Sequence, residues 1–241
     1  MSEALALRQQ VAVIVGASSG IGRATALAFA RAGATTVLAS RSQDRLEALA
    51  EEIGSHTLVC PMDVQDVSSV GPAMNMIVER LGRIDVLVYA TGTNIPDRTL
   101  DALTPETWDM MLATNLSGAF HCTQSVLPTM RGQGGGLIIY VSSVAVQLPD
   151  ASGVSYQAAK HGLVGLAHGT FKEEQDNGIR TTVIFPGLTD TPLVLKRPTP
   201  TPPEVMAHAL QPEDVAQACL FAASLPARAR VPELMLMPSR L

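Results

Sequence analysis

At 241 residues, 46% of them hydrophobic, the chain can bury a large core, and a single α/β domain routinely reaches this size. A formal net charge of −5 with no basic stripe speaks against nonspecific nucleic-acid binding. The longest apolar runs, such as Val11–Val15 and Leu137–Val141, fall far short of a membrane span, so no membrane partner is expected.

The first strand candidate, Val11–Val15, runs into Gly16, Gly20 and Gly22 of GASSGIG and then into a helical stretch over 21–32. Strand, glycine-rich turn and helix in that order predict a phosphate cradle. Gly16 allows the tight turn, Gly20 lets the backbone approach a pyrophosphate, and Gly22 lets helix and strand pack closely. The helix N-terminus then presents its free N–H groups and positive dipole end to the anion. The spacing is GxxxGxG, not the commoner GxGxxG. Further strands are expected at Thr36–Ala39, Thr57–Val59, Ile84–Tyr89, Leu137–Val141, Thr181–Phe185 and Leu234–Met237. Helices are expected between them, over about 44–53, 66–81, 105–130, 154–176 and 212–223.

This alternation predicts a doubly wound parallel sheet of about seven strands, with helices on both faces, in one domain over 1–241. Its ligand crevice should lie at the carboxyl ends of the strands, where Gly16, Ser143 and Pro186 fall. The stretch RPTPTPPEV at 197–205 is too proline-rich for ordinary helix or strand. Its position after Pro186-Gly187 and Thr191 marks 192–210 as a candidate substrate lid.

The chemistry is carried by Tyr156, by Lys160 four residues on, and by Ser143 at the end of an apolar strand. Positions 156 and 160 are i and i+4, so both side chains leave one helix face. Tyrosine is a poor proton donor near neutrality, with an unperturbed pKa of about 10. An ammonium beside it favours the phenolate, so Lys160 is expected to lower the Tyr156 pKa and bring proton transfer within reach.

Together these residues resemble the short-chain dehydrogenase/reductase family over essentially the whole chain. The resemblance implies a Rossmann-type oxidoreductase that interconverts a carbonyl and a secondary alcohol. Tyr156 would be the proton donor, Ser143 the residue orienting the reacting oxygen, and Lys160 the holder of the nicotinamide ribose. Asn115, in ATNLSGAF, would position a water linking Lys160 to solvent. Cofactor contacts are implied for Gly16, Ser18, Ser19, Gly20 and Ile21, for Asp63 and Val64, for Ala90 and Gly92, and for Pro186, Gly187, Thr189 and Thr191, alongside Tyr156 and Lys160. Ser40 stands where NAD-specific relatives carry an acidic residue. With Arg41 after it, a 2′-phosphate is accepted, so NADP(H) is expected, with NAD the weaker alternative. Two departures stand out. Tyr89-Ala90-Thr91-Gly92 replaces the usual asparagine-asparagine-alanine-glycine, and the chain stops at ELMLMPSRL without the usual aspartate-glycine-glycine.

The substrate pocket is expected from Val144, Ala145, Gln147 and Leu148, from Leu188, and from the segment Leu193 to Met206. Most of these are apolar, which suits a small, moderately apolar carbonyl or alcohol. Lys196 and Arg197 either pair with a substrate carboxylate or sit in water. His161 and His168 lack metal-ligand company, and Asp150 reads as an ordinary polar loop residue. Gly162, Gly165 and Gly169 suggest close helix packing, and the family likeness implies a homodimer or homotetramer. Three scattered cysteines and an N-terminus without secretory-signal features point to a reducing cytoplasm. The rival from another class is a non-catalytic dinucleotide sensor or scaffold. It would need the glycine turn but not Ser143, Tyr156 and Lys160.

Overall fold

The computed structural model describes residues 6–240. Seven parallel strands form one sheet in the order β3-β2-β1-β4-β5-β6-β7. They are β1 Val11–Val15, β2 Thr35–Ser40, β3 Thr57–Pro61, β4 Val86–Tyr89, β5 Gly136–Val141, β6 Ile179–Pro186 and β7 Glu233–Leu236. The helices are α1 Gly20–Arg31, α2 Gln43–Ile53, α3 Val67–Leu81, α4 Pro105–Leu112, α5 Gly118–Gly132, α6 Val154–Glu174, α7 Pro203–Met206 and α8 Pro212–Ser224. The expected fold class is the observed one.

Strand alternation feeds two cores. Val13 and Val15 pack with Leu87, Met74, Ile77, Val126, Met130 and Leu163 on the face covered by α3, α5 and α6. Ala12 and Ile14 pack with Phe29, Leu46, Leu49, Val215 and Cys219 on the face covered by α1, α2 and α8. Because both faces are covered, β1 and β4 are buried throughout, and their sequences read as continuous apolar runs. Strand order reverses at β1, which pairs with β2 on one side and β4 on the other, with Val15 opposite both Ala39 and Tyr89. A crevice opens beyond the carboxyl ends at that switch point.

Two elements differ from expectation. The helix foreseen over 105–130 is interrupted by a π-helical turn at Ala113–Ser117. Within it the Asn115 amide donates to the Met111 carbonyl at 2.9 Å, so a side chain takes up a carbonyl one turn back and the ladder slips by a residue. The proline-rich stretch does contain a helix, the four-residue α7, which tolerates Pro203 because the first helical N–H has no intrahelical partner anyway. No helix among the described residues is long and apolar enough to cross a membrane.

Candidate active site

The glycine turn is dictated by space. A Cβ on Gly22 would lie 2.2 Å from the Gly16 carbonyl oxygen, and one on Gly16 would lie 2.8 Å from the Thr91 amide nitrogen. Gly16 also has φ of +93°, a region that disfavours side chains. The turn therefore brings α1 hard against the end of β1. Ser19 caps α1 without a side-chain bond, so the first-turn N–H groups face the crevice.

A cleft of about 400 Å³ follows, lined by Gly16, Ser18, Ser19, Gly20, Ile21, Ser40, Arg41, Asp63, Val64, Ala90, Gly92, Tyr156, Lys160 and Thr191. A smaller chamber of about 130 Å³ adjoins it and is lined by Ser143, Pro186, Gly187 and Thr189, among others. Ile21, Ser142, Tyr156, Thr191 and Leu193 line both spaces, so the two share a wall. Asn115 lines neither. It is fully buried, with its amide donating to the Thr93 carbonyl at 3.1 Å and its Oδ1 accepting from the Thr93 N–H at 2.9 Å. It thereby fixes the loop after β4 immediately beside the Lys160 ammonium, since a Cβ on Gly92 would meet both groups.

Tyr156 and Lys160 leave α6 on the buried side. The Lys160 ammonium donates to the Val141 carbonyl at 2.8 Å and sits 5.6 Å from the Tyr156 ring centroid. Ser142 ties α6 to the end of β5 by donating to the Lys160 carbonyl at 2.9 Å. Ser143 opens a 3-10 turn at Val144–Val146, its hydroxyl accepting from the Ala145 N–H at 3.2 Å.

The expected effect of Lys160 on Tyr156 is reversed by burial. Removal from water pushes the phenol up to about 12, against the Ser143 hydroxyl hydrogen bond and the cations Arg98 and Arg197, which pull it down. Lys160 is itself driven down to about 8 by burial, so its own charge is costly where it sits. A phenol held neutral keeps its proton throughout the neutral range, while the raised value makes it a weaker acid than free tyrosine. The lysine has a thermodynamic signature. Between its folded value of about 8 and the ordinary 10.5, the unfolded chain binds more protons than the folded one, so stability from this group rises with pH. Lys160→Met should abolish that contribution. The melting temperature of the parent is expected to gain on the variant between those two pH values, and parallel curves across that window would refute the assignment.

The first departure from the family pattern is accommodated locally. Tyr89 is fully buried and its hydroxyl donates to the Thr114 carbonyl at 2.5 Å, inside the π-helical turn that carries Asn115. Gly118 makes room for it, since a Cβ there would lie 2.6 Å from the Tyr89 hydroxyl.

Several lining residues escaped the sequence reading. Arg45 joins Arg41 at the cleft, and Asn94, Arg98 and Ser152 line the chamber. Asp150, read as an ordinary loop residue, lines it too. Of the expected pocket residues, Val144, Leu188, Leu193, Val194 and Arg197 line the chamber, while Ala145, Gln147 and Leu148 do not. Lys196 is exposed, reaches the cleft and donates to the Thr93 hydroxyl at 2.7 Å. Loop residues such as Arg98, in NIPDRTL, carry no periodicity that could announce them. His161 bonds the Gln157 carbonyl of its own helix, and His168 pairs with Glu233 at 2.9 Å. Among the described residues no group of three or more His, Cys, Asp or Glu side chains is placed to hold a metal.

Residues 10–200 match the family described as short chain dehydrogenase. The chain is 35% identical to a 3-oxoacyl-[acyl-carrier-protein] reductase of Thermotoga maritima, over 90% of this chain and 92% of the relative. Among solved structures it is similar to a 3-ketoacyl-(acyl-carrier-protein) reductase from Brucella melitensis complexed with NADH, with TM-score 0.89, 26% identity, and coverage of 97% and 99% of the two chains. It is also similar to an alcohol dehydrogenase from the archaeon Thermococcus sibiricus complexed with 5-hydroxy-NADP, with TM-score 0.86, 31% identity, and coverage of 96% and 97%. Such a likeness, with cleft and chamber joined at one tyrosine, defines a nicotinamide-dinucleotide oxidoreductase fold. The chain belongs to the short chain dehydrogenase family of oxidoreductases, whose members act on small-molecule substrates.

Proposed function

We propose that this protein is an NADP(H)-dependent oxidoreductase that interconverts a carbonyl and a secondary alcohol on a small, partly apolar substrate. One observation carries the reading: Tyr156 lines both the dinucleotide-sized cleft and the smaller chamber, with Lys160 on the cleft side and Ser143 on the chamber side. The cleft fits a dinucleotide because the turn at Gly16 and Gly22 leaves no room for side chains, and the α1 N–H groups lie open to a pyrophosphate. Ser18, Ser19, Gly20, Ile21, Asp63, Val64, Ala90 and Gly92 would hold it. Pro186, Gly187, Thr189 and Thr191 would flank its reactive end. When bound, the nicotinamide supplies or accepts hydride.

Tyr156 gives its phenolic proton to the carbonyl oxygen, and Ser143 donates a hydrogen bond that orients that oxygen. Lys160 holds its charge beside the phenol as the proton leaves. Asn115 acts as a positioning residue through the Thr93 loop. An NADPH-consumption screen over neutral ketones, oxo acids and quinones tests the reading. No turnover with any class would overturn it.

The coenzyme preference rests on Ser40 and Arg41, with Arg45 beside them. Arg41 is exposed and lies 3.9 Å from Asp63, a surface pair worth roughly 0–1 kcal/mol and too weak to hold the guanidinium from a phosphate. NADPH is expected to bind at least about tenfold more tightly than NADH, about 1.4 kcal/mol. Fluorescence titration of Trp108 with both nucleotides decides it, and equal affinity would refute the preference.

A homodimer or homotetramer is part of the same reading. Gly162 is consumed by contact with Leu116 inside the chain, but a Cβ on Gly165 or Gly169 would meet nothing, and Phe120 on α5 is 46% exposed. These leave faces of α5 and α6 open to a second copy. Light scattering should report a multiple of 25.4 kDa, and the monomer mass at micromolar concentration would contradict it. The three buried free cysteines support a reducing, cytoplasmic setting.

A further inference from the structure

The chamber beside Tyr156 has a lining of mixed character. Ile21, Val144, Leu188 and Val194 make an apolar wall, but Arg98 and Arg197 face the same space, with Asp150 as the carboxylate among its lining residues. Two guanidiniums against one carboxylate leave the chamber with an excess of positive charge. Arg98 is only 6% exposed, and a long cation is seldom buried so far without a task. Its backbone packs where Gly153 opens α6, so closely that a Cβ on Gly153 would lie 2.7 Å from the Arg98 Cβ. Its Nε donates to the Ile95 carbonyl at 2.8 Å, and its Nη2 donates to the Lys196 carbonyl in the lid segment. Nη1 makes no hydrogen bond among the described residues. The planar head is thus held rigid on one edge, with a donor left over. Arg197 is exposed and bonds Thr201 at 2.9 Å, so it can turn toward the chamber at little cost.

We infer that Arg98 and Arg197 form a carboxylate-binding end to the substrate chamber, so that the substrate is a small oxo acid or hydroxy acid. This rests on the oxidoreductase reading for the carbonyl end and names what lies at the other. Arg98 supplies a fixed charge-assisted donor and Arg197 the second, closing from the lid, while the apolar wall takes the short carbon chain. Burial and Arg197 both press against the Arg98 charge, and Asp150 and Tyr156 favour it. An incoming carboxylate relieves the repulsion between the two arginines as it binds. Its bonds to the carbonyls of Ile95 and Lys196 also make Arg98 a clamp between the loop after β4 and the segment that carries Arg197.

The test is calorimetric titration of the NADP-loaded protein with lactate, β-hydroxybutyrate and the methyl ester of each. At least one acid should bind about tenfold or more tightly than its ester, and the acid-over-ester ratio should fall about tenfold in Arg197→Ala and in Arg98→Gln, the range expected when one partner of a charge pair is lost. A purely structural clamp would weaken acid and ester together and leave the ratio intact. If Arg98→Gln does not fold, Arg197→Ala decides alone, because that side chain is exposed. Binding of neither acid, equal binding of acid and ester, or an unchanged ratio in the folded variants would overturn the inference. Binding needs no hydride transfer, so acid binding without NADPH formation would instead count against the oxidoreductase reading.

Discussion

Tyr156→Phe is expected to lower turnover by at least about a hundredfold, the low end of what a positioned general acid contributes, while dinucleotide affinity and melting temperature stay near those of the parent. The reason for the second half is geometric. The Tyr156 ring is buried against α6 and its neighbours, and phenylalanine keeps that packing intact. What is lost is one hydroxyl, the group that stands where cleft and chamber meet. Because burial holds the phenol up at about 12, the proton is present throughout the neutral range, so the defect should persist at every pH from mildly acidic to mildly basic. Stopped-flow and steady-state rates with any accepted substrate check this. Near-normal turnover in the variant would remove Tyr156 from the chemistry.

The second large effect is Gly22→Ala. The added methyl carbon would be placed 2.2 Å from the Gly16 carbonyl oxygen, well inside contact distance, and the obstacle is backbone rather than a flexible side chain. Overpacking of this kind costs about 1–3 kcal/mol. At roughly 2–4 °C per kcal/mol for a chain of this size, the melting temperature should fall by several degrees. Relief of the clash requires α1 to lift from the end of β1, which pulls its first-turn N–H groups away from the pyrophosphate position. Dinucleotide affinity should therefore fall more steeply than stability does. Calorimetric melting with and without NADPH separates the two, and a variant as stable and as tightly binding as the parent would contradict the cradle geometry.

The legible part of this fold is the part governed by local pattern. Apolar runs bounded by turns located all seven strands to within a few residues, most cleanly β1 and β4, which are buried throughout and read as continuous apolar stretches. The glycine turn was legible because close approach demands glycine whatever the rest of the chain does. Boundaries that depend on side-chain bonds were not legible. The Asn115 amide, bonding Met111 and Thr93, breaks a helix whose sequence reads as continuous. Tyr89 is another such case. Its hydroxyl braces the Asn115 turn through the space left by Gly118.

Spacing announced that Ser143, Tyr156 and Lys160 would come together, but not their electrostatics. Sequence places a cation one turn from a phenol and so suggests a lowered pKa. Burial, which spacing does not reveal, decides the sign for both groups. Arg98 was invisible for a related reason. Its placement comes from a loop folding back against Gly153 and Lys196, a juxtaposition between residues far apart in the chain.

The most direct test of the central claim is hydride transfer itself. The protein should be mixed with NADPH deuterated at the transferring carbon and with the best substrate from the carbonyl screen, and the product analysed by mass spectrometry and NMR. Deuterium is expected on the carbon bearing the new hydroxyl, with transfer slowed at least about a hundredfold in Tyr156→Phe. Tight NADPH binding with no deuterium delivered to any carbonyl in the screen would contradict the account and leave the chain a dinucleotide-binding protein without this chemistry.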